Sequence, residues 1–379
     1  MKLAKIREKS KDNSIVLIIS SLKGGGAERV AINLANYFAK KFDLVYLIIL
    51  CDQIEYDITF SKKVNVINLG CKKAKFSFYK LIRKLNSIKP KYILSIMRDS
   101  NLILSISSFF LYFNKKIIFN EQNSFKSLNM RNSISKIVLL HIYSFLYKRS
   151  NIIIACSKDT KKSLLKNLDY KKSKIYVISN PVLEDKFNPE NIKIARHKWI
   201  NNPNLKVIMG AGRLHPQKDF PTLIKAFKIV FGKNQNTRLI ICGEGSERKN
   251  LNTLIRKYDL NDYIDLIGFT KNLYSYFKGA DIFCLTSLYE GFGNVTIEAM
   301  ALGKFIISTS CEGISREIIT NKNIGSLVPI KKYKILAKAI LDNLNRERNN
   351  ELNKEIALKF RVSNIGREYY DVINLIKDR

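Results

Sequence analysis

Two carboxylates eight positions apart, Glu290 and Glu298, bracket the segment Glu290-Gly291-Phe292-Gly293-Asn294-Val295-Thr296-Ile297-Glu298. A glycine-rich turn follows the first, and the second sits in an apolar stretch that reads as helix. Backbone N–H groups at a helix start receive phosphate or hydroxyl oxygens, while a carboxylate accepts hydrogen bonds from hydroxyl pairs. A ligand presenting both groups, such as a sugar nucleotide, suits this pairing. Upstream, Gly210-Ala211-Gly212-Arg213-Leu214-His215-Pro216-Gln217-Lys218-Asp219 brings two cations, Arg213 and Lys218, to the end of a strand and the start of a helix. Two cations there would stabilise a diphosphate leaving group as its bond to carbon breaks. His215 is read as a polar loop residue and not as a general base.

Thirteen short Val/Ile/Leu-rich runs recur from end to end and alternate with helical patterns, which predicts parallel sheets covered on both faces, an α/β fold. The first half offers strands at Ser14–Ser20, Leu44–Leu50, Val64–Leu69, Tyr92–Ile96, Lys116–Asn120, Asn151–Cys156 and Ile175–Ser179. The second half offers Leu205–Met209, Arg238–Cys242, Ile264–Leu266, Ile282–Leu285, Phe305–Ser308 and Ser326–Val328. Helices are expected at Ala27–Lys40, Phe76–Ser87, Asp159–Leu168, Phe220–Phe231, Ser246–Tyr258, Val295–Ala301 and Lys332–Asn343, and Ile134–Tyr147 is an amphipathic stretch too short to span a bilayer. The prolines at 181 and 189 mark a break between halves. Domains are therefore expected at 1–185 and 186–361, with a terminal helix in 362–379.

Several predicted strands end in loops suited to a ligand. Gly24-Gly25-Gly26-Ala27-Glu28-Arg29 follows the first strand and opens a helix, so its glycines permit close backbone approach to an anion. It is not a Walker loop, and a glutamate stands at the third glycine position of a dinucleotide fingerprint. Cys242-Gly243-Glu244-Gly245 and Gly268-Phe269-Thr270 are further strand-end turns, each of which a plain turn would also explain. Met97-Arg98-Asp99-Ser100-Asn101 is read as a loop beyond a first-half strand.

Composition removes other classes. The 379 residues are 46% hydrophobic and 26% charged, a globular balance with room for two cores. Six scattered cysteines show no disulfide or metal-knuckle spacing, and three histidines form no ligand cluster, so they are read as reduced core thiols in a cytoplasmic protein without a zinc site. The basic start from Met1 to Lys11 lacks the apolar stretch of a signal peptide, and no apolar run is long enough to span a bilayer. The net charge is +34, with 34 Lys/Arg against 13 Asp/Glu up to Asp185 and 32 against 19 beyond. Such an excess favours anionic partners, which include membrane surfaces, phosphates and nucleic acid, and a solvated surface would also account for it.

Taken in order, the Gly-Gly-Ala-Glu-Arg opening, the Gly-Arg-Leu…Gln-Lys stretch and the Glu-x7-Glu segment resemble retaining glycosyltransferases of the family 4, group 1 type. The resemblance implies a GT-B fold, two Rossmann-like domains with parallel sheets facing across a cleft. It implies a nucleoside diphosphate sugar donor, with UDP as the expected nucleotide, held by the second domain. Arg213 and Lys218 would bind the donor diphosphate, and Glu298 the ribose hydroxyls. Glu290 and the backbone of Gly291, Phe292, Gly293 and Asn294 would hold the transferred sugar and phosphate. Glu244 would line the nucleotide cleft, Phe269 and Thr270 would lie near the base, and Gly25 and Gly26 would approach the donor phosphate and acceptor.

Many relatives carry a histidine where this chain has Gln122. Where that histidine contacts the donor sugar in relatives, the contact is altered here; Glu121 and Gln122 are expected on the acceptor side. No Asp-x-Asp motif ends a strand, which fits a metal-independent reaction with no cofactor beyond the donor. The basic first half suggests a glycan or lipid-linked acceptor at the inner face of a bacterial cytoplasmic membrane, in surface polysaccharide or lipopolysaccharide synthesis. Lys72, Lys73, Lys75, Lys80, Arg83 and Lys84 are the candidate membrane contacts. The alternatives are a sugar-nucleotide epimerase of the same architecture and a basic nucleic-acid-binding protein. The latter lacks any helix-turn-helix, zinc-finger or RNP pattern, so no specific nucleic acid is expected.

Overall fold

A computed structural model describes residues 13–52, 60–125, 133–345 and 351–376. The basic start lies outside them. The chain forms two compact units, one comprising Met1–Glu184 with Val362–Arg379 and the other Asp185–Arg361.

The first unit is built on seven strands: β1 (Ser14–Ile19), β2 (Leu44–Cys51), β3 (Val64–Cys71), β4 (Tyr92–Ile96), β5 (Lys116–Glu121), β6 (Ile152–Ala155) and β7 (Ile175–Val177). They pair in parallel in the order β3-β2-β1-β4-β5-β6-β7. Its helices are α1 (Gly26–Phe38), α2 (Phe78–Ile88), α3 (Arg98–Ser107), α4 (Ser133–Tyr147) and α5 (Lys158–Asn167). Alternate side chains of a strand point to opposite faces, and β1 buries both sets. Ile15, Leu17 and Ile19 join a core with α1, whereas Val16 and Ile18 join a core with residues of α2, α3, α4 and α5. That double burial explains the near-continuous apolar runs.

The second unit has six parallel strands: β8 (Lys206–Ala211), β9 (Thr237–Cys242), β10 (Ile264–Gly268), β11 (Ile282–Leu285), β12 (Phe305–Thr309) and β13 (Gly325–Val328). Their order is β10-β9-β8-β11-β12-β13. Around them lie α6 (Phe220–Lys233), α7 (Arg248–Lys257), α8 (Leu273–Gly279), α9 (Asn294–Ala301), α10 (Ser315–Ile318), α11 (Tyr333–Leu341) and α12 (Glu351–Leu358). The final helix, α13 (Val362–Asn374), packs on α1 of the first unit. A Cβ on Gly366 would come within 2.6 Å of the Tyr37 ring, so glycine is what lets the two helices approach.

Each sheet reverses strand order once, between β1 and β4 in the first unit and between β8 and β11 in the second. Ligands of open α/β sheets bind beyond the carboxyl ends of the strands at such a reversal. This topology selects the strand-end loops that matter.

The thirteen expected strands are all present, with ends shifted by at most two residues. One reading is corrected. Arg98–Asn101 is not a loop but the first turn of α3, with Arg98, Ser100 and Asn101 buried. Its polar residues hid a helix because they are satisfied internally: Asn101 is the acceptor, through its backbone carbonyl, for the Ser105 hydroxyl at 2.9 Å. All six cysteines are free and buried. Burial pushes the Cys156 and Cys242 thiols up to about 12.

Candidate active site

The reversal in the second unit brings together the two segments singled out by their chemistry. Gly212–Asp219 follows β8, Thr286–Gly293 follows β11, and these strands are neighbours. Three hydrogen bonds join the loops: Thr286 Oγ1 donates to the Lys218 carbonyl at 2.8 Å, the Leu288 N–H to the Gln217 carbonyl at 2.8 Å, and Gln217 Nε2 to the Tyr289 carbonyl at 2.8 Å. The Lys218 ammonium thereby meets Glu290 Oε1 at 2.5 Å, with both side chains largely shielded. Ser287 Oγ donates to the same carboxylate oxygen at 2.6 Å. Cys311 is buried close by, and burial with the Glu290 charge pushes its thiol up to about 11.

Glycines set this geometry. Gly212 (φ 145°) lets the Lys218 stem pass over it, since an added Cβ would lie 3.1 Å from Lys218 Cε. Gly313 (φ 128°) lies against Glu290 and the Phe292 carbonyl, and the loop after β12 holds that segment through the Glu290 N–H to Glu312 carbonyl bond at 3.1 Å. Gly293 (φ 94°) is the N-cap of α9, and glycine brings no side chain to cover the first turn. Phe292 turns inward against Phe360, with centroids 5.8 Å apart. Glu298 lies further along α9 and is buried.

The neighbouring strand-end loops are laced to this core. The Gly212 N–H donates to the Cys242 carbonyl, the Leu214 N–H to the Glu244 carbonyl and the Gly243 N–H to the Gly268 carbonyl. Arg213 is exposed at the edge of this group. Glu244 is half-exposed and pairs with Arg248 at 2.6 Å, and Arg248 also donates to the Leu266 carbonyl at 2.9 Å. Phe269 is 54% exposed, enough to offer a ring face to a ligand. Thr270 Oγ1 accepts from the Asn272 N–H. His215 caps its own turn, its Nδ1 accepting from the Gln217 N–H at 3.2 Å.

In the first unit, Gly25 is the N-cap of α1 and Gly26 its first residue. A Cβ on Gly25 would lie 2.4 Å from the Glu28 carboxylate, so Glu28 folds back over the helix start. Ser20, just after β1, and Ser100, in the first turn of α3, are hydroxyl partners at 2.9 Å. Glu121, expected on the acceptor side, lies fully buried at the end of β5. Its carboxylate accepts from Arg98 Nη2 at 3.3 Å and from the Tyr147 hydroxyl at 2.5 Å. Burial raises its pKa, and the Arg98 charge opposes that shift. Gln122 is buried too, donating from Nε2 to Asn180 Oδ1 and accepting from Asn180 Nδ2, each at 2.9 Å. Asn120 Nδ2 donates to the Tyr369 hydroxyl at 2.7 Å, which carries this amide cluster to α13.

Sequence reading missed the supporting residues Ser287, Glu312 and Tyr147, and the pairing of Arg98 with Glu121. Strand adjacency creates them, so the available signal was the reversal in strand order. Among the described residues, no group of three or more His, Cys, Asp or Glu is placed to hold a metal ion. None of their helices is long and apolar enough to cross a membrane.

Two parallel sheets, each with glycine-bearing loops at its reversal, define an α/β protein of two Rossmann-like units. Comparison with known proteins makes this specific. Residues 191–359 match the family model "Glycosyl transferases group 1", and residues 24–186 match "Glycosyltransferase Family 4". The chain belongs to this glycosyltransferase family and has the GT-B fold. It is similar, at 28% identity over 331 residues, to the N-acetylgalactosamine-N,N'-diacetylbacillosaminyl-diphospho-undecaprenol 4-alpha-N-acetylgalactosaminyltransferase of Campylobacter jejuni, covering 83% of this chain and 85% of that one. It is 30% identical over 202 residues to the capsular polysaccharide biosynthesis glycosyltransferase CapM of Staphylococcus aureus, 52% of each chain. In structure it is similar to Anabaena HepE solved in complex with UDP and glucose, with TM-score 0.76, 18% identity, and coverage of 96% of this chain and all of that one.

Proposed function

We propose that this glycosyltransferase moves a sugar from a UDP-sugar to a lipid-linked or glycan acceptor in surface polysaccharide or lipopolysaccharide assembly, with retention at the anomeric carbon and without a metal. The observation that carries the reading is the Lys218–Glu290 pair at the β8/β11 reversal, beside Arg213 and the start of α9. The undecaprenol-linked substrate in the Campylobacter relative's name and the UDP and glucose bound to HepE favour the acceptor and donor classes. Family membership favours a transferase over an epimerase. A cytoplasmic enzyme working at the inner face of the membrane follows from such an acceptor.

In this reading Arg213, Lys218 and the N–H groups at the start of α9 receive the diphosphate charge that develops as the sugar C1–O bond breaks. Lys218 serves two anions, Glu290 and the diphosphate, so the carboxylate holds the ammonium in place until the donor arrives. Glu290 then accepts from sugar hydroxyls together with the Gly291–Asn294 backbone, and Glu298 accepts from the ribose. Glu244, Phe269 and Thr270 frame the nucleoside side. Gly25 and Gly26 form the acceptor-side approach, with Glu121 and Gln122 supporting it from beneath as positioning residues. The acceptor oxygen attacks C1 from the face the diphosphate leaves, forming the new C–O bond while its proton passes to the departing phosphate oxygen.

Retention is measured directly. With an α-linked UDP-sugar, the anomeric proton coupling of the product by NMR is expected to report an α linkage, with chelator present throughout. A β product would remove the same-face mechanism, and loss of turnover on chelation would remove the metal-free reading.

A further inference from the structure

Helix α4 is apolar on more than its packed side. Tyr143, Leu146 and Tyr147 face the core, yet Ile137, Val138, Ile142 and Phe145 lie 49–62% exposed on the opposite side. A soluble helix ordinarily turns polar residues outward. The exposed strip continues across the surface. Phe145 stacks on Phe109 with centroids 6.2 Å apart, and the Arg149 guanidinium lies 4.4 Å over the Phe109 ring and donates to Ser108 Oγ at 3.0 Å. Phe110 in turn packs edge-on against Phe78 of α2, whose neighbours Phe76 and Tyr79 are 64% and 73% exposed.

Exposed cations flank the strip, Lys72, Lys73, Lys75, Lys80 and Arg83 near α2 and Lys148 and Arg149 after α4, where Lys148 pairs with Asp169. Residues 72–149 carry sixteen Lys/Arg against two acids, Asp99 and the buried Glu121. Contiguous exposed apolar groups mark an interaction surface, and a cationic surround selects an anionic partner. A protein partner would be expected to pair with individual cations. A lipid bilayer instead accepts aromatic and aliphatic side chains below its headgroups while the lysines remain at phosphate level.

We infer that the α4 face, with Phe109 and the start of α2, docks on an anionic lipid bilayer by inserting Ile142 and Phe145 below the headgroups. This deepens the proposed lipid-linked acceptor and rests on that reading for its purpose. It also changes the basis of membrane contact. The lysines near α2 supply attraction, and the apolar strip supplies a part of binding that salt does not screen.

Vesicle co-sedimentation tests this. Mixed phosphatidylglycerol–phosphatidylcholine vesicles are expected to bind the protein, with a fraction remaining bound at 1 M salt, roughly where screening is complete within 3 Å. The double variant Ile142→Glu, Phe145→Glu is expected to lose that salt-resistant fraction and at least about tenfold in affinity. Both side chains are exposed, so its thermal unfolding and its UDP-induced stabilisation should match wild type. If wild type loses all binding at high salt and the variant binds as well at low salt, contact is electrostatic alone and the inference fails. If wild type is a dimer that the variant dissociates, the face belongs to a second copy and the inference also fails. UDP-induced stabilisation, measured on the same samples, reports on the donor site independently of either result.

Discussion

Lys218→Ala is expected to lower the rate of sugar transfer by about 10²- to 10³-fold, the cost typical of removing one preorganised group from a developing charge. Two effects combine. The diphosphate loses a cation at the strand reversal, and Glu290 loses its 2.5 Å partner while remaining buried. An uncompensated carboxylate there repels the incoming phosphates as well as failing to orient the sugar. The two positions should therefore couple. Lys218→Ala combined with Glu290→Ala is expected to cost much less than the product of the single losses, because each single change disables the same unit. Steady-state rates of the four proteins give the cycle directly. Additive losses would mean that the two residues act on the donor separately.

The second large effect concerns stability. A chain ending before Val362 loses α13, whose Val362, Ile365, Tyr369 and Ile373 are buried in the core of the first unit. At about 1.5–3 kcal/mol for each buried side chain, the loss is about 6–12 kcal/mol, comparable with the whole stability of a typical domain. It also leaves Asn120 without the Tyr369 hydroxyl. Limited proteolysis is expected to degrade residues 13–184 in the shortened chain while 185–361 persist. A milder variant, Gly366→Val, drives a side chain into the Tyr37 ring and should destabilise the same unit selectively. Uniform protection of both units in either variant would show that α13 is dispensable to the first.

The sheets were legible because burial on both faces leaves a strand with little choice but Val, Ile and Leu, as in Ser14–Ile19. Helix α3 was not, since Ser100, Asn101, Ser105 and Ser107 are buried polar residues in a helix and read as a loop. The short helices α8, α10 and α12 lacked enough turns for a period to show. Site residues followed the same division. The turns at Gly212, Gly243 and Gly293 are local, so glycines and cations beside strand ends revealed them. That Lys218 should touch Glu290, 72 positions away, depends on β8 lying beside β11. Glu121 shows the same limit: its place at a strand end is local, and only packing discloses Arg98 and Tyr147 around its buried carboxylate.

The central claim is that the loops after β8 and β11, with α9, grip a UDP-sugar for transfer. Acceptor-dependent UDP release tests it most directly, comparing wild type with Glu298→Ala and Arg213→Ala across a panel of UDP-sugars and a polyprenyl-diphosphate-linked acceptor. Wild type is expected to release UDP from one donor only when acceptor is present, and each variant to lose at least about tenfold in kcat/KM, the scale of one charge-assisted hydrogen bond. Wild-type turnover by both variants would contradict the account.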